Sequence, residues 1–418
     1  MGSRDGDAAE TAETVARRSY GKLVAFLAAR TRDVAAAEDA LSDAFASALS
    51  DWPRTGPPDN PEAWLMTVAR RKLIDASRRR KTGETAAPQL QLIAEELGAV
   101  ETADIPDQRL TLMFACAHPA IEESIRAPLI LQVVLGLSAE VIASSFLSSP
   151  AAMSKRLVRA KEKIRQAGIP FEVPAREELP SRLSAVLDAI YAAFSEGWTD
   201  PLGADAQRRD LTGESLFLAR LTVELMPEEP EALGLAALMF HAEARRAARR
   251  DDKGDFIPLA EQDVAQWNAR LIAQADALIL RAGGKQSLGR YELEAALQSA
   301  HAHRRLTSRS NWAEIVALYD ALQLLAASPV VAINRALAIA EVEGPGAALD
   351  AMPDAEADPR LVDYQPYWAA KAELLSRWGA GGEASQAYDM AIGLERDPAV
   401  RRFLQRRKAM ASKPRFAH

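Results

Sequence analysis

Apolar positions recur at helical spacing along almost the whole chain. Tyr20, Leu23, Val24 and Leu27 stand at i, i+3, i+4 and i+7, which predicts an amphipathic helix within 13–32. A second helix over about 33–52 gathers Val34, Leu41, Phe45, Ala48, Leu49 and Trp52 on one side, with Glu38, Asp39 and Asp43 elsewhere on its surface. The stretch WPRTGPPDNP, residues 52–61, holds four prolines and a glycine and predicts a loop. Asn60 then caps a third helix with Pro61 at its first position, and Trp64, Leu65, Val68, Leu73 and Ile74 form its buried side. Strand-like alternation is scarce, so the expected fold class is all-α.

A further helical unit is predicted over 109–168. Its second half, GLSAEVIASSFLSSPAAMSKRLVRAKEKIRQAG (136–168), reads as two short helices around a brief turn. Ser138 can cap the first, which turns Val141, Ile142 and Phe146 inward; Ser149 and Pro150 can start the second. Met153, Leu157, Ala160 and Ile164 fall on one face of that second helix, and Lys155, Arg156, Arg159 and Lys161 on the others. This is the pattern of a helix-turn-helix whose second helix enters the major groove. Ser149, Ala151, Ser154 and Lys155 would reach base edges, while Arg156 and Arg159 would hold phosphates and Lys161 is a further DNA-binding candidate. An ordinary helical hairpin would give the same periodicity.

Charge sharpens the picture. The 418-residue chain is acidic, with a formal net charge of −7. Yet residues 62–81 hold seven basic side chains against Glu62 and Asp75, and residues 154–165 hold six against Glu162. Two basic helices on an acidic body suggest a polyanion met at two places, although either could be a solvated face. With one cysteine, Cys116, no internal disulfide can form and a reducing cytoplasm is expected. The N-terminal residues are polar, and no apolar run approaches ~18 residues, so neither a signal peptide nor a membrane span is expected. FACAHP places Cys116 and His118 together, but two candidate ligands are too few for a structural metal site. No nucleophile–base pattern, phosphate loop or HExxH motif appears; no cofactor, metal or catalytic residue is expected.

Residues 13–168 resemble a bacterial RNA polymerase sigma factor of the extracytoplasmic-function class. AEDALSDAFASALSDWP (37–53) is similar to that family's core-binding helix, PEAWLMTVARRKLIDASRRRK (61–81) to its −10-reading helix, and 136–167 to its −35-reading helix-turn-helix. The resemblance implies that Glu38, Asp39, Ser42 and Asp43 dock on the β′ coiled coil of core RNA polymerase, with the β flap as a further contact. It implies −10 contacts from Asn60, Arg70, Arg71, Lys72, Asp75, Arg78, Arg79, Arg80 and Lys81. Trp52 and Trp64 continue apolar helix faces and read as core rather than as base-stacking residues. Residues 82–108 carry six acids and no Lys or Arg, and read as a linker. Such a linker spans up to roughly 90 Å when extended. The resemblance implies that it threads a cationic polymerase channel; composition alone fits a solvated spacer as well.

From about 180 the chain turns to Ala- and Leu-rich helices with short breaks. WAEIVALYDAL (312–322) has tetratricopeptide-like spacing, and Tyr319 and Tyr388 lie 69 residues apart, close to two such repeats. The order of domains resembles the sigma subgroup with a C-terminal tetratricopeptide-like extension, an α-solenoid able to take a regulatory protein or ligand. ARRAARRDD (244–252) reads as a basic cluster paired internally with Asp251, Asp252, Asp255 and Glu261, and His301 and His303 point to different faces. The expected organisation is 1–81 for polymerase and −10 binding, 82–108 as linker, 109–170 for −35 binding and 180–418 as regulatory extension. The competing function is a helix-turn-helix regulator that senses a ligand through its repeats and never joins polymerase.

Overall fold

The computed structural model describes residues 11, 12, 14–16, 19–21, 23, 24, 26–28, 31, 34–80, 107–167, 174–198, 206–283 and 288–411. Among them the chain is all-α; the one described extended pairing is an isolated bridge between Arg250 and Phe256. The linker expected over 82–108 falls outside the described residues except for Asp107 and Gln108. The chain divides into two compact units, one of residues 1–199 and 205–225 and one of 200–204 and 226–418.

In the first unit, α1 (Val34–Thr55) packs on α2 (Pro61–Arg80). Asn60 accepts a hydrogen bond from the Ala63 N–H at 3.0 Å, the cap that its position before Pro61 predicts. The loop expected over 52–61 is shorter than that, because α1 continues through Pro53 to Thr55. Proline removes one helical N–H bond, to a turn whose Leu49 and Ser50 face solvent where water can replace it. Trp52, 1% exposed, holds the backbone there by its burial. Gly56, at φ +81, then ends the helix, with its N–H on the Trp52 carbonyl at 2.8 Å. Two expected core residues are misplaced. Leu49 is 53% and Ile74 38% exposed, because the buried line of α1 runs through Leu41, Ala44, Ala48 and Trp52, and that of α2 through Leu65 and Ala69.

The rest of this unit comprises α3 (Gln108–Cys116), α4 (Glu123–Val133), α5 (Ala139–Ser145), α6 (Pro150–Ala167), α7 (Leu179–Trp198) and α8 (Ala206–Leu225). Asp107 caps α3 by accepting from the Arg109 N–H at 2.7 Å, and Arg109 also pairs with Glu214 of α8. Arg182 of α7, 4% exposed, donates to the Phe114 carbonyl at 3.2 Å and pairs with Glu178. The change of composition near 180 therefore does not mark the edge of a compact unit. α7 packs on α3, α4 and α5, and the edge lies at 225.

The second unit comprises α9 (Pro230–Ala244), α10 (Ala269–Ala282), α11 (Arg290–Thr307), α12 (Trp312–Leu325), α13 (Pro329–Val342), α14 (Pro345–Ala351), α15 (Gln365–Trp378), α16 (Gly381–Leu394) and α17 (Pro398–Ala411). From α11 onward each helix packs on its neighbour in the chain, the arrangement of stacked helical pairs. α9 crosses α11 so closely that a Cβ on Gly234 would lie 2.5 Å from the Glu292 nitrogen. The basic cluster after α9 is held internally, as expected, but by other partners. Arg246 pairs with Glu243 and Arg250 with Asp397, while Asp255 takes Arg402 and Arg406. Acids nearest in sequence are used locally instead, as when Asp251 accepts the N–H groups of Lys253 and Asp255. His301 and His303 do diverge, toward Trp312 and Asp276 respectively.

His241 is 1% exposed, and burial lowers its pKa to about 4 from an ordinary 6.5, with Asp276 at 3.3 Å opposing the shift. The folded unit thus holds the neutral ring, whereas the unfolded chain takes up a proton below 6.5. The stability this group contributes is complete above pH 6.5 and is lost as pH falls toward 4. At pH 5 that loss is about 2 kcal/mol. Denaturant unfolding at pH 7.5 and pH 5 checks it: His241→Gln should lose less stability between the two, and an equal loss in both proteins would contradict it.

Candidate nucleic-acid interface

Three surfaces carry the residues singled out by sequence, all on the first unit. On α2, Arg71 and Asp75 are exposed and Arg70 and Lys72 half-buried. The Arg70 guanidinium lies 5.3 Å from the centre of the Phe26 ring, so part of its charge is spent inside the protein. Arg78, Arg79 and Arg80 form the last turn of α2, and Lys81 lies outside the described residues. Asn60 is exposed but its side-chain oxygen is occupied by the cap. Trp52 meets Trp64 edge to face at 5.4 Å between ring centres. At 1% exposure Trp52 is not available to stack on a base.

The acidic surface lies on α1. Asp39, Ser42 and Asp43 are exposed, but Glu38 is half-buried and pairs with Lys161 of α6 at 2.6 Å. Burial raises the pKa of Glu38, and the Lys161 ammonium pulls it back. Tyr20 lies beside this pair, hydrogen-bonded to Ser42 and stacked on Phe45 at 6.3 Å, and burial followed by the Glu38 charge raises its phenol pKa. A close backbone approach joins the same two regions. A Cβ on Gly21 would lie 1.5 Å from the Val134 carbonyl oxygen, and one on Gly136, at φ +67, would lie 3.4 Å from the Tyr20 ring. Cys116 is fully buried near the pair, and desolvation with the Glu38 charge pushes its thiol pKa up, which makes it a poor nucleophile. Thus a residue expected on DNA and a residue expected on polymerase meet one another. Sequence reasoning missed Tyr20, Gly21 and Gly136; the glycine inside an amphipathic helix was the available signal.

The third surface is the helix-turn-helix of α5 and α6. Ser138 accepts from the Val141 N–H and Ser149 from the Ala152 N–H, both at 3.3 Å, so both caps stand where the sequence puts them. α5 stops at Ser145, and Leu147 takes a left-handed backbone at φ 47 to turn the chain. Met153, Leu157, Ala160 and Ile164 are buried, as their spacing predicts. Ala151, Ser154, Lys155 and Arg159 are exposed. Ser149 spends its hydroxyl on the cap, and Arg156 spends one nitrogen on the Ser124 carbonyl and hydroxyl at 3.1 and 2.7 Å. Arg156, Arg159 and Lys163 rim a cleft of about 160 Å³ floored by Ile121, Ile125 and Ile164, with Glu122 at its edge. Lys163 is a third cation on that flank which the sequence reading did not select.

At the end of α3, His118 accepts from the Ala120 N–H at 3.1 Å, and burial, then the charge of Arg182, lowers its pKa. Among the described residues no group of three or more His, Cys, Asp or Glu side chains could hold a metal ion. Nor is any described helix long and apolar enough to cross a membrane.

Residues 15–82 match sigma-70 region 2, the stretch that carries the acidic surface of α1 and the basic run of α2. Residues 182–283 match a family of unknown function, DUF6596. The chain is 40% identical over 370 residues to "Uncharacterized protein R00370" of Rhizobium meliloti (strain 1021), which covers 87% of each. No solved structure matches. The chain belongs to one family with that Rhizobium protein, and its residues 15–82 form a sigma-70 region 2 that supports a sigma-70 family factor. Region 2 supports a sigma-factor-like role in transcription initiation and implies core RNA polymerase and promoter DNA as partners.

Proposed function

We propose that the chain is an alternative sigma factor of the extracytoplasmic-function class, acting in the cytoplasm and without catalytic residues of its own. Glu38, Asp39, Ser42 and Asp43 dock on the β′ coiled coil. Asn60, Arg70, Arg71, Lys72, Asp75 and Arg78 to Lys81 engage the −10 element, and α6 engages the −35 element. The linker 82–108 joins the two DNA-binding parts, and the helices of the second unit form a tetratricopeptide-like extension that modulates initiation. One observation carries this reading: a sigma-70 region 2 stands in the same chain as a second basic helix whose apolar stripe is buried and whose outer face is open.

The Glu38–Lys161 pair has a consequence for polymerase binding. Paired with Lys161, the Glu38 side chain is only 12% exposed, so full engagement of a β′ cation requires the pair to loosen. Lys161→Ala removes the internal competitor and should tighten core-polymerase binding by about two- to fivefold, the range of a partly exposed ion pair. Titration of labelled full-length chain with purified core enzyme measures this. The reading predicts binding by the wild-type chain and tighter binding by the variant. No association of either protein with core enzyme would refute it.

A further inference from the structure

On α6, Ala151, Lys155, Val158 and Glu162 recur at i, i+4, i+7 and i+11, a single line along the helix opposite buried Met153, Leu157, Ala160 and Ile164. Val158 is the anomaly in that line. Its side chain is 64% exposed, and a β-branched residue in an exposed helical position adds neither packing nor helix propensity. Single exposed apolar side chains are common on protein surfaces, so exposure alone assigns no role. Position does. Arg159 and Lys163 stand along one edge of the line and exposed Ser154 along the other, beyond which Lys161 pairs with Glu38, so the outward centre is flanked by cations on one side and a hydroxyl donor on the other.

A helix seated in a major groove places its flanks against the two backbones and its centre against base edges. The groove floor offers one apolar group, the C5-methyl of thymine. We infer that Val158 is a specificity-determining residue that packs on a thymine C5-methyl in the upstream promoter element. This rests on the proposed −35 role of α6 and adds a base preference to it. Lys155, one turn earlier on the same line, would supply the adjacent hydrogen bond or phosphate contact.

The test uses the full chain bound to purified core RNA polymerase. Duplexes enriched by that complex from a randomised pool give the upstream element, and each thymine in it is replaced singly by deoxyuridine, which lacks only the methyl group. At one thymine or more the replacement should weaken binding by the wild-type chain about fourfold, the worth of one buried methyl. In Val158→Ser the same replacement should have no effect, while Val158→Ala should retain part of it. No sensitivity to deoxyuridine, or equal sensitivity in wild type and Val158→Ser, would overturn the assignment while leaving α6 a DNA-binding helix. If Val158→Ser weakened binding to core enzyme without DNA, Val158 would be a protein contact and the assignment would fail. If no common upstream element were enriched, the −35 role of α6 would fall and the assignment with it.

Discussion

Trp52→Ala should destabilise the α1–α2 pair by about 3–5 kcal/mol, the range for truncating a buried tryptophan. Its side chain is 1% exposed and packs edge to face on Trp64, and it anchors the turn in which the helix passes through Pro53. The loss would be one of packing, since the indole N–H has no hydrogen-bond partner to give up. Trp52→Phe keeps an aromatic contact with Trp64 and should retain most of the stability. Hydrogen exchange over peptides from 34–80 reads the effect locally, without interference from the second unit. Both the acidic surface of α1 and the basic run of α2 depend on this contact, so Trp52→Ala should lose polymerase and DNA binding together. Protection reduced by less than about 1 kcal/mol would show that Trp52 does not hold the pair.

Replacing Arg78, Arg79 and Arg80 together by alanine should weaken promoter binding about a hundredfold at 0.15 M salt. Each phosphate contact contributes about 0.9 to the slope of log affinity against log salt, so three lost contacts should lower that slope by nearly 3. The three residues end α2, where alanine is a strong helix former, so the substitution should cost the fold little. Loss should be similar across promoter sequences, because phosphate contacts carry no base information. Binding isotherms at several salt concentrations separate the outcomes. An unchanged slope would remove this turn of α2 from the DNA interface.

Local signals were the legible part of this fold. Asn60 before Pro61, Ser138, and Ser149 before Pro150 each start a helix by a bond within three residues, and all three caps stand where they were expected. The buried line of α6 likewise follows from spacing alone. Pro53 did not yield to a local rule, because the burial of Trp52 outweighs one missing N–H bond at an exposed turn. Long-range pairing was invisible. Glu38 and Lys161 lie 123 positions apart, and Arg250 reaches Asp397 across 147. Nothing in composition near 180 announces that α7 and α8 pack with the helices before them.

The central claim, that this chain gives core RNA polymerase its promoter, is tested most directly by transcription in vitro. The template is the DNA upstream of the chain's own gene, with purified core enzyme and the full-length protein. The account predicts transcripts from a fixed start site that require the protein and are lost when Arg78, Arg79 and Arg80 are replaced by alanine. A chain that neither bound core enzyme nor started a transcript on any enriched promoter would contradict it.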